Sequence, residues 1–206
     1  MAIAVHPRES YVLVKADNGE QYILAEALTE KVMKAGGIEH YEIAARFVGS
    51  DFEYMKARHP FLDKDSLLCC AEYVTMDSGT GCVHTAPGFG ADDFNICKAY
   101  DAAGKTHIGT PVPVNAKGVM TDERYNGQFY AKGNDMVVAD LEAEGFLVAK
   151  ENITHSYPHG WRCKRHIIGF CHGGNFLHFR NPSGMRQIRL DDIHASGLKQ
   201  PFKVIF

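Results

Sequence analysis

The stretch Gly79-Thr80-Gly81-Cys82-Val83-His84-Thr85-Ala86-Pro87-Gly88-Phe89-Gly90-Ala91-Asp92-Asp93-Phe94 decides how this chain is read. Cys82 to Thr85 is a short β-forming run that delivers His84 to its end. Pro87, Gly88 and Gly90 then predict a loop where a ligand can approach the backbone closely. Ala91 to Ala103 predicts a helix closed by Gly104, and it opens on two carboxylates. Two readings of Asp92 and Asp93 stand side by side. Asp at a helix start satisfies free N–H groups and the macrodipole. A carboxylate at the rim of a glycine-lined pocket also holds an ammonium by a charge-assisted bond. With an imidazole nearby to shape the pocket, the set suits the α-amino group of an amino acid. A phosphate cradle does not fit, because no Lys-Ser or Lys-Thr pair follows the loop and the carboxylates repel phosphate.

Toward the N-terminus, Leu67 to Thr75 is a continuous apolar run that predicts a buried strand. Ser10 to Ala16 and Gln21 to Leu24 predict a hairpin turning at Asp17-Asn18-Gly19. Ala25 to Ala35 carries Leu28, Val32 and Met33 at helical spacing and stops at Gly36-Gly37. Tyr41 to Val48 predicts another strand. Toward the C-terminus, Pro111-Val112-Pro113-Val114 cannot be a central strand, because each proline removes a ladder donor. Asn134 is a good N-cap for a helix through Glu144, with Val137, Val138 and Leu141 on one face and Gly145 as the stop. Phe146 to Thr154 predicts a strand, and Phe202 to Phe206 a further edge strand. Short strands with about three interspersed helices predict an α+β fold, a mixed, barrel-like β core with helices around it.

The chain has 206 residues, 45% hydrophobic and 23% charged, enough apolar material for one sizeable core. Its net charge of −3 is not the basic balance of many nucleic-acid binders, so contact with RNA would rest on local patches. Met1 to Pro7 is too short an apolar run for a signal peptide and lacks a basic start. Cys69, Cys70, Cys82, Cys97, Cys163 and Cys171 are therefore expected as reduced thiols in a cytoplasmic protein. No apolar run reaches the roughly 18 residues of a membrane span.

In order and spacing, Gly79 to Asp93 resembles the G-T-G-x-V-H-T-A-P-G-H-G-x-D-D segment in the editing insertion (first connective peptide) of class I isoleucyl-tRNA synthetases. The likeness extends well beyond it. His59-Pro60-Phe61-Leu62-Asp63-Lys64-Asp65-Ser66 resembles H-P-F-L-D-R-D-S, and Lys132-Gly133-Asn134-Asp135 stands where the family has A-N-D. His155-Ser156-Tyr157-Pro158-His159-Gly160-Trp161-Arg162-Cys163 resembles H-S-Y-P-H-C-W-R-C. Valyl and leucyl relatives differ around the glycine loop, which favours the isoleucyl assignment.

The resemblance implies a proofreading domain that hydrolyses the ester of valine misattached to the isoleucine tRNA. A pocket that accepts isoleucine rejects valine only by one missing methylene. That difference is worth about 1–3 kcal/mol, a general figure for which this very pair is the standard illustration. By family likeness His84 lines the amino-acid pocket and excludes the larger side chain, and Asp93 grips the α-ammonium. Thr85, Gly88, Phe89, Gly90 and Asp92 complete the candidate substrate-binding set. No catalytic side chain is assigned: water attacks the ester, helped by the neighbouring ribose hydroxyl of the terminal adenosine. No metal or cofactor is implied. The implied partners are the misacylated 3′ end of a tRNA, a valine-like amino acid and the other domains of a parent synthetase, with no membrane. The alternative is a module that binds an amino acid or aminoacyl-adenosine without turnover, or an inactive folded remnant.

Three departures from the family shape the expectation. Ala2-Ile3-Ala4-Val5-His6-Pro7 resembles the family sequence that follows a threonine-rich strand (T-T-T-P-W-T-L-P-x-N), the other wall of the pocket, so weak or absent deacylation is expected of this chain alone. Phe89 stands where a His is common. From about Lys164 the sequence drifts, giving an editing domain over residues 1–179 and a divergent tail over 180–206. The H-x-G-H and K-M-S-K-S type signatures are absent, so ATP belongs to a catalytic domain outside this sequence. His155, His159, Cys163, His166, Cys171, His172 and His178 form a dense cluster of candidate ligands. Without a C-x-x-C, zinc is the lesser reading there beside solvated or core histidines. Trp161 reads as a hinge anchor rather than a base-stacking residue. Cys69, Cys70 and Cys82 read as small core residues, and Lys56, Arg58 and Lys64 as ordinary surface charges.

Overall fold

A computed structural model describes residues 1–151 and the backbone of two later strands, Ile168–His172 and Phe176–Arg180. The central sheet holds β1 (Ala2–Val5), β5 (Lys56–Arg58), β6 (Asp65–Cys70) and β7 (Cys82–Thr85) in the order β5-β6-β1-β7. β1 runs parallel to β6 and antiparallel to β7. The register puts Ala2, Ala4, Leu67, Cys69, Val83 and Thr85 on one face, and Ile3, Val5, Leu68, Cys70, Cys82 and His84 on the other.

Both faces are covered, which is why Leu67 to Cys70 reads as an unbroken apolar run. On the first, Cys97 and Tyr100 of α2 (Ala91–Ala102) pack against Ala2, Ala4, Leu67 and Cys69. On the second, Val5, Leu68, Cys70 and Cys82 meet Tyr11, Ala25, Leu28 and Phe52. Tyr11 and Ala25 belong to the second sheet, β2 (Ser10–Ala16), β3 (Gln21–Ala25) and β4 (Tyr41–Val48), antiparallel in the order β3-β2-β4. Its far side packs Val12, Val14 and Leu24 on Met33 of α1 (Thr29–Ala35). α3 (Tyr130–Ala143) follows, and β8 (Ile168–His172) pairs antiparallel with β9 (Phe176–Arg180).

β2, β4 and β7 carry the expected bounds, α2 ends one residue early, and β3 one residue late. The mixed α/β architecture with three α-helices is as expected, but both sheets are open and no barrel closes among the described residues. Four local expectations change. Glu26–Leu28 is a 3-10 turn, so α1 begins only at Thr29. The run from Leu67 leaves the sheet after Cys70, where Ala71 N–H donates to Val5 O and closes the strand. α3 starts at Tyr130 with Phe129 as its N-cap, so Asn134 lies inside the helix. Residues 146–151 form no strand, because the N–H groups of Phe146 and Leu147 both turn back to Leu141 O at the helix exit. The rest of that expected strand, and the one at 202–206, lie outside the described residues.

Candidate functional site

The Gly79-Thr80-Gly81 opening of the decisive stretch is a joint between the two sheets. Ala25 N–H donates to Thr80 O at 2.9 Å. A Cβ on Gly81 would stand 2.5 Å from the Ala25 Cβ, and Gly81 sits at φ +76°, so glycine is required twice over. The buried Tyr11 hydroxyl donates to Gly81 O at 2.7 Å and accepts the His6 N–H at 2.9 Å. β7 therefore begins from a fixed point.

Beyond β7 the chain turns at Ala86, whose carbonyl accepts the Phe89 N–H at 2.9 Å. Pro87 and Gly88 are buried. A Cβ on Gly88 would meet Pro111 O at 2.5 Å, so the close backbone approach expected of a ligand is made at Gly88 by the chain's own Pro111. Gly90 is the N-cap of α2 and makes no side-chain cap. A Cβ there would lie 3.0 Å from Asp93 Oδ2. Gly90 leaves the room that the Asp93 carboxylate occupies.

That carboxylate does not cap its own helix. Asp93 Oδ2 accepts the Ala86 N–H at 3.0 Å, back across the loop, and Oδ1 accepts the Tyr73 hydroxyl at 3.1 Å. Asp93 shares a helix face with Cys97, which is buried in the core. Burial raises its pKa above the ordinary carboxylate value; the Ala86 and Tyr73 hydrogen bonds oppose the rise, and Asp92 adds to it. Asp92 and Phe89 are half-buried on the rim of the same turn. Thr85 is fully buried, with its Oγ 3.2 Å from Val83 O and 3.3 Å from the Tyr73 hydroxyl. Tyr73 is a member of this constellation that sequence reasoning does not single out. Its hydroxyl inside an apolar run is the available signal, since a buried phenol needs a partner.

His84 sits on the other face of β7. Burial first, then neighbouring positive charge including His59 and Lys64, pushes its pKa down to about 4, so the imidazole is neutral at pH 7. His59 and Lys64 belong to the turn that precedes β6. There His59 Nδ1 accepts the Leu62 N–H at 3.1 Å, and Phe61 packs edge-on against Tyr125 with Arg124 over its ring at 4.6 Å. Arg124 and Tyr125 are tied to Asp140 of α3, at 2.8 and 2.7 Å. The fold thus brings Thr85, Gly90 and Asp93 together on one side of the strand end with Tyr73. It sets His84 with His59 and Lys64 on the other. Among the described residues no group of His, Cys, Asp and Glu could hold a metal ion. The side chains of the cluster from His155 to His178 lie outside them. No helix among the described residues is long and apolar enough to cross a membrane.

No family model matches the sequence. Two solved structures share the fold. The GlLeuRS-CP1 crystal structure aligns with a TM-score of 0.59 at 18% identity, covering 74% of this chain and 78% of that one. The Plasmodium falciparum cytosolic leucyl-tRNA synthetase editing domain aligns at 0.53 and 11%, covering 68% and 70%. Curated sequences are much nearer. The isoleucine-tRNA ligases of Caldicellulosiruptor bescii and Petrotoga mobilis are each 46% identical over 170 residues, and that of Geobacillus thermodenitrificans 45% over 172. The chain spans only 18% of the length of these relatives. With 82% of its own length matched at that identity, the chain belongs to the isoleucine-tRNA ligase family.

Proposed function

We propose that this chain is the aminoacyl-tRNA editing domain of an isoleucyl-tRNA synthetase and that its site binds the valyl ester of the isoleucine tRNA for hydrolysis. The observation that carries the reading is the Asp93 carboxylate, aimed away from its own helix and held from Ala86 and Tyr73 at the end of β7. Each oxygen keeps a further lone pair for an ammonium donor. A substrate lying across the Thr85–Gly88 turn would place its α-ammonium at Asp93 and its side chain toward His84. A neutral imidazole there limits side-chain size without repelling the ammonium. Phe89, Gly90 and Asp92 form the rim, and Gly88 supports the turn against Pro111. Water would attack the ester carbonyl and the ribose oxygen would leave with a proton, giving valine and free tRNA. The tRNA 3′ end, the other synthetase domains and a cytoplasmic setting belong to the same proposal.

Hydrolysis of Val-tRNA(Ile) and Ile-tRNA(Ile) by the chain and by a full-length relative tests it. Faster release of valine than of isoleucine by the relative, lost when its aspartate equivalent to Asp93 becomes Ala, with weak or no release by this chain alone, is the expected result. Equal rates for the two esters, or activity that survives Asp93→Ala, would overturn the reading. Tight binding of a non-hydrolysable valyl-adenosine without turnover by either protein would favour a binding module.

A further inference from the structure

We propose that Tyr73 is a positioning residue that holds the Asp93 carboxylate in its ammonium-accepting orientation. The inference rests on the editing reading only for what Asp93 binds; the hydrogen bonds themselves do not depend on it.

The proton arrangement follows from the acceptors available. The Tyr73 hydroxyl lies 3.1 Å from Asp93 Oδ1 and 3.3 Å from Thr85 Oγ. It has one proton, and burial keeps its pKa far above the ordinary phenol value, so the phenol stays protonated. A carboxylate is a much stronger acceptor than a hydroxyl, so that proton goes to Asp93. The Thr85 proton then has two acceptors, Val83 O at 3.2 Å and the Tyr73 oxygen. When it points to Tyr73 the result is a polarised chain, Thr85 to Tyr73 to Asp93. The two oxygens of Asp93 are thus held by separate donors, Oδ1 by a side chain that follows β6 and Oδ2 by the first amide after β7. Neither donor alone fixes both the tilt and the rotation of the carboxyl group.

The other titratable groups facing Asp93 are Asp92 on its own helix, Cys97 one turn on, and Cys69 of β6. Both thiols are pushed up to about 12 by burial and are neutral, so they neither hold nor compete for the carboxylate's charge at pH 7. Tyr73→Phe keeps the ring in the core beside Cys69 and Val74 and removes only the donor.

The test follows the Asp93 carboxyl carbon by NMR in the 206-residue chain, assigned with Asp93→Asn, as pH is varied. In Tyr73→Phe the Asp93 midpoint should move up by about one to two pH units, the loss expected for one hydrogen bond to a charged group. Thr85→Val should move it the same way by less. A merely structural role for Tyr73 would lower the melting temperature and leave the midpoint where it was; an unchanged midpoint in a folded Tyr73→Phe chain overturns the proposal. A second arm measures Val-tRNA(Ile) hydrolysis against pH in a full-length relative carrying the equivalent tyrosine, where the acid limb should shift with the midpoint. A shifted NMR midpoint with no valine-specific hydrolysis would leave the positioning role standing and sink the editing reading. Hydrolysis whose acid limb ignores the variant would do the reverse.

Discussion

Replacing Tyr11 by Phe removes one oxygen from the joint that anchors the start of β7, and the structure sets the size of the loss. The Tyr11 side chain is wholly buried. Its hydroxyl serves two backbone groups from distant parts of the chain, the His6 N–H and the Gly81 carbonyl. The ring stays in Phe, together with its edge-on contact to Phe52 at 5.7 Å, so little apolar burial changes. What changes is that two backbone polar groups lose their partner. An unpaired buried donor or acceptor costs about 1–3 kcal/mol. His6 is only half-buried and its N–H can recover water, so the Gly81 carbonyl dominates. We expect a loss of about 2–3 kcal/mol. For a chain of this size that is roughly 4–12 °C in Tm. Urea unfolding followed by far-UV circular dichroism reads it directly, with the midpoint falling and the slope unchanged. A loss below about 0.5 kcal/mol, the range of ordinary surface substitutions, would refute the idea that this hydroxyl pins the two sheets together.

Other expectations concern the site itself. Asp93→Asn should cost at least about tenfold in affinity for an amino-acid ammonium, as expected for a charge-assisted bond, while Tm at pH 7 stays equal or rises. The sign follows from the raised pKa: the folded state holds the proton more tightly, so wild-type stability falls as pH rises from the ordinary carboxylate value through the raised one. A marked fall in Tm at pH 7 would contradict that sign. His84 works in the opposite direction. Its folded pKa of about 4 lies below the ordinary value of 6.5, so the unfolded chain takes up a proton first as pH falls. Stability should drop by roughly 3 kcal/mol between about pH 6.5 and 4. An imidazole midpoint near 6.5 by NMR would exclude it. Gly90→Ala should leave Tm within a few degrees, because φ −133° suits any residue. The new methyl should push Asp93 Oδ2 off the Ala86 N–H and lower ammonium affinity to a similar degree as Asp93→Asn; unchanged affinity would show that the carboxylate has room to spare.

Where local chemistry alone sets an element, the sequence shows it. β2 and β4 carry β-branched and aromatic residues, and the turn after β2 carries Gly19 at φ +85°. β1 is hidden because Ala2 and Ala4 add little hydrophobic weight. Their smallness belongs to a three-dimensional fit, the close packing of α2, which no local window contains. The start of α3 departs from its local signal for a related reason. Asn134 has the chemistry of an N-cap, but the helix begins earlier, where Gly133 packs against the Met120 side chain and Tyr130 N–H reaches Gly118 O. In the site, the sequence singles out Asp93 and Gly90 but not what joins them to the core. Capping and pocket roles use the same residue types at the same place, and only the direction of the carboxylate separates them. The Tyr73 hydroxyl in its apolar run signals a buried partner without naming Asp93, and nothing in the sequence marks the Pro111 carbonyl as a neighbour of the glycine loop.

The placement of β1 has a consequence for how the molecule assembles. Ala2 pairs with Leu67 on one side and Thr85 on the other, so the earliest strand waits for partners that appear much later in the chain. β6 and β7 do not pair with each other; each reaches the other only through β1. Contacts of such long range make folding slow, because loop closure comes before any reward. The second sheet and α1 lie wholly within the intervening residues and can form from near neighbours while β1 is still unpaired. During synthesis the end of β7 that carries the Thr85–Gly88 turn would therefore take shape only after the second sheet. A pulse of protease applied early in refolding should cut between β6 and β7 while sparing the hairpin of β2 and β3.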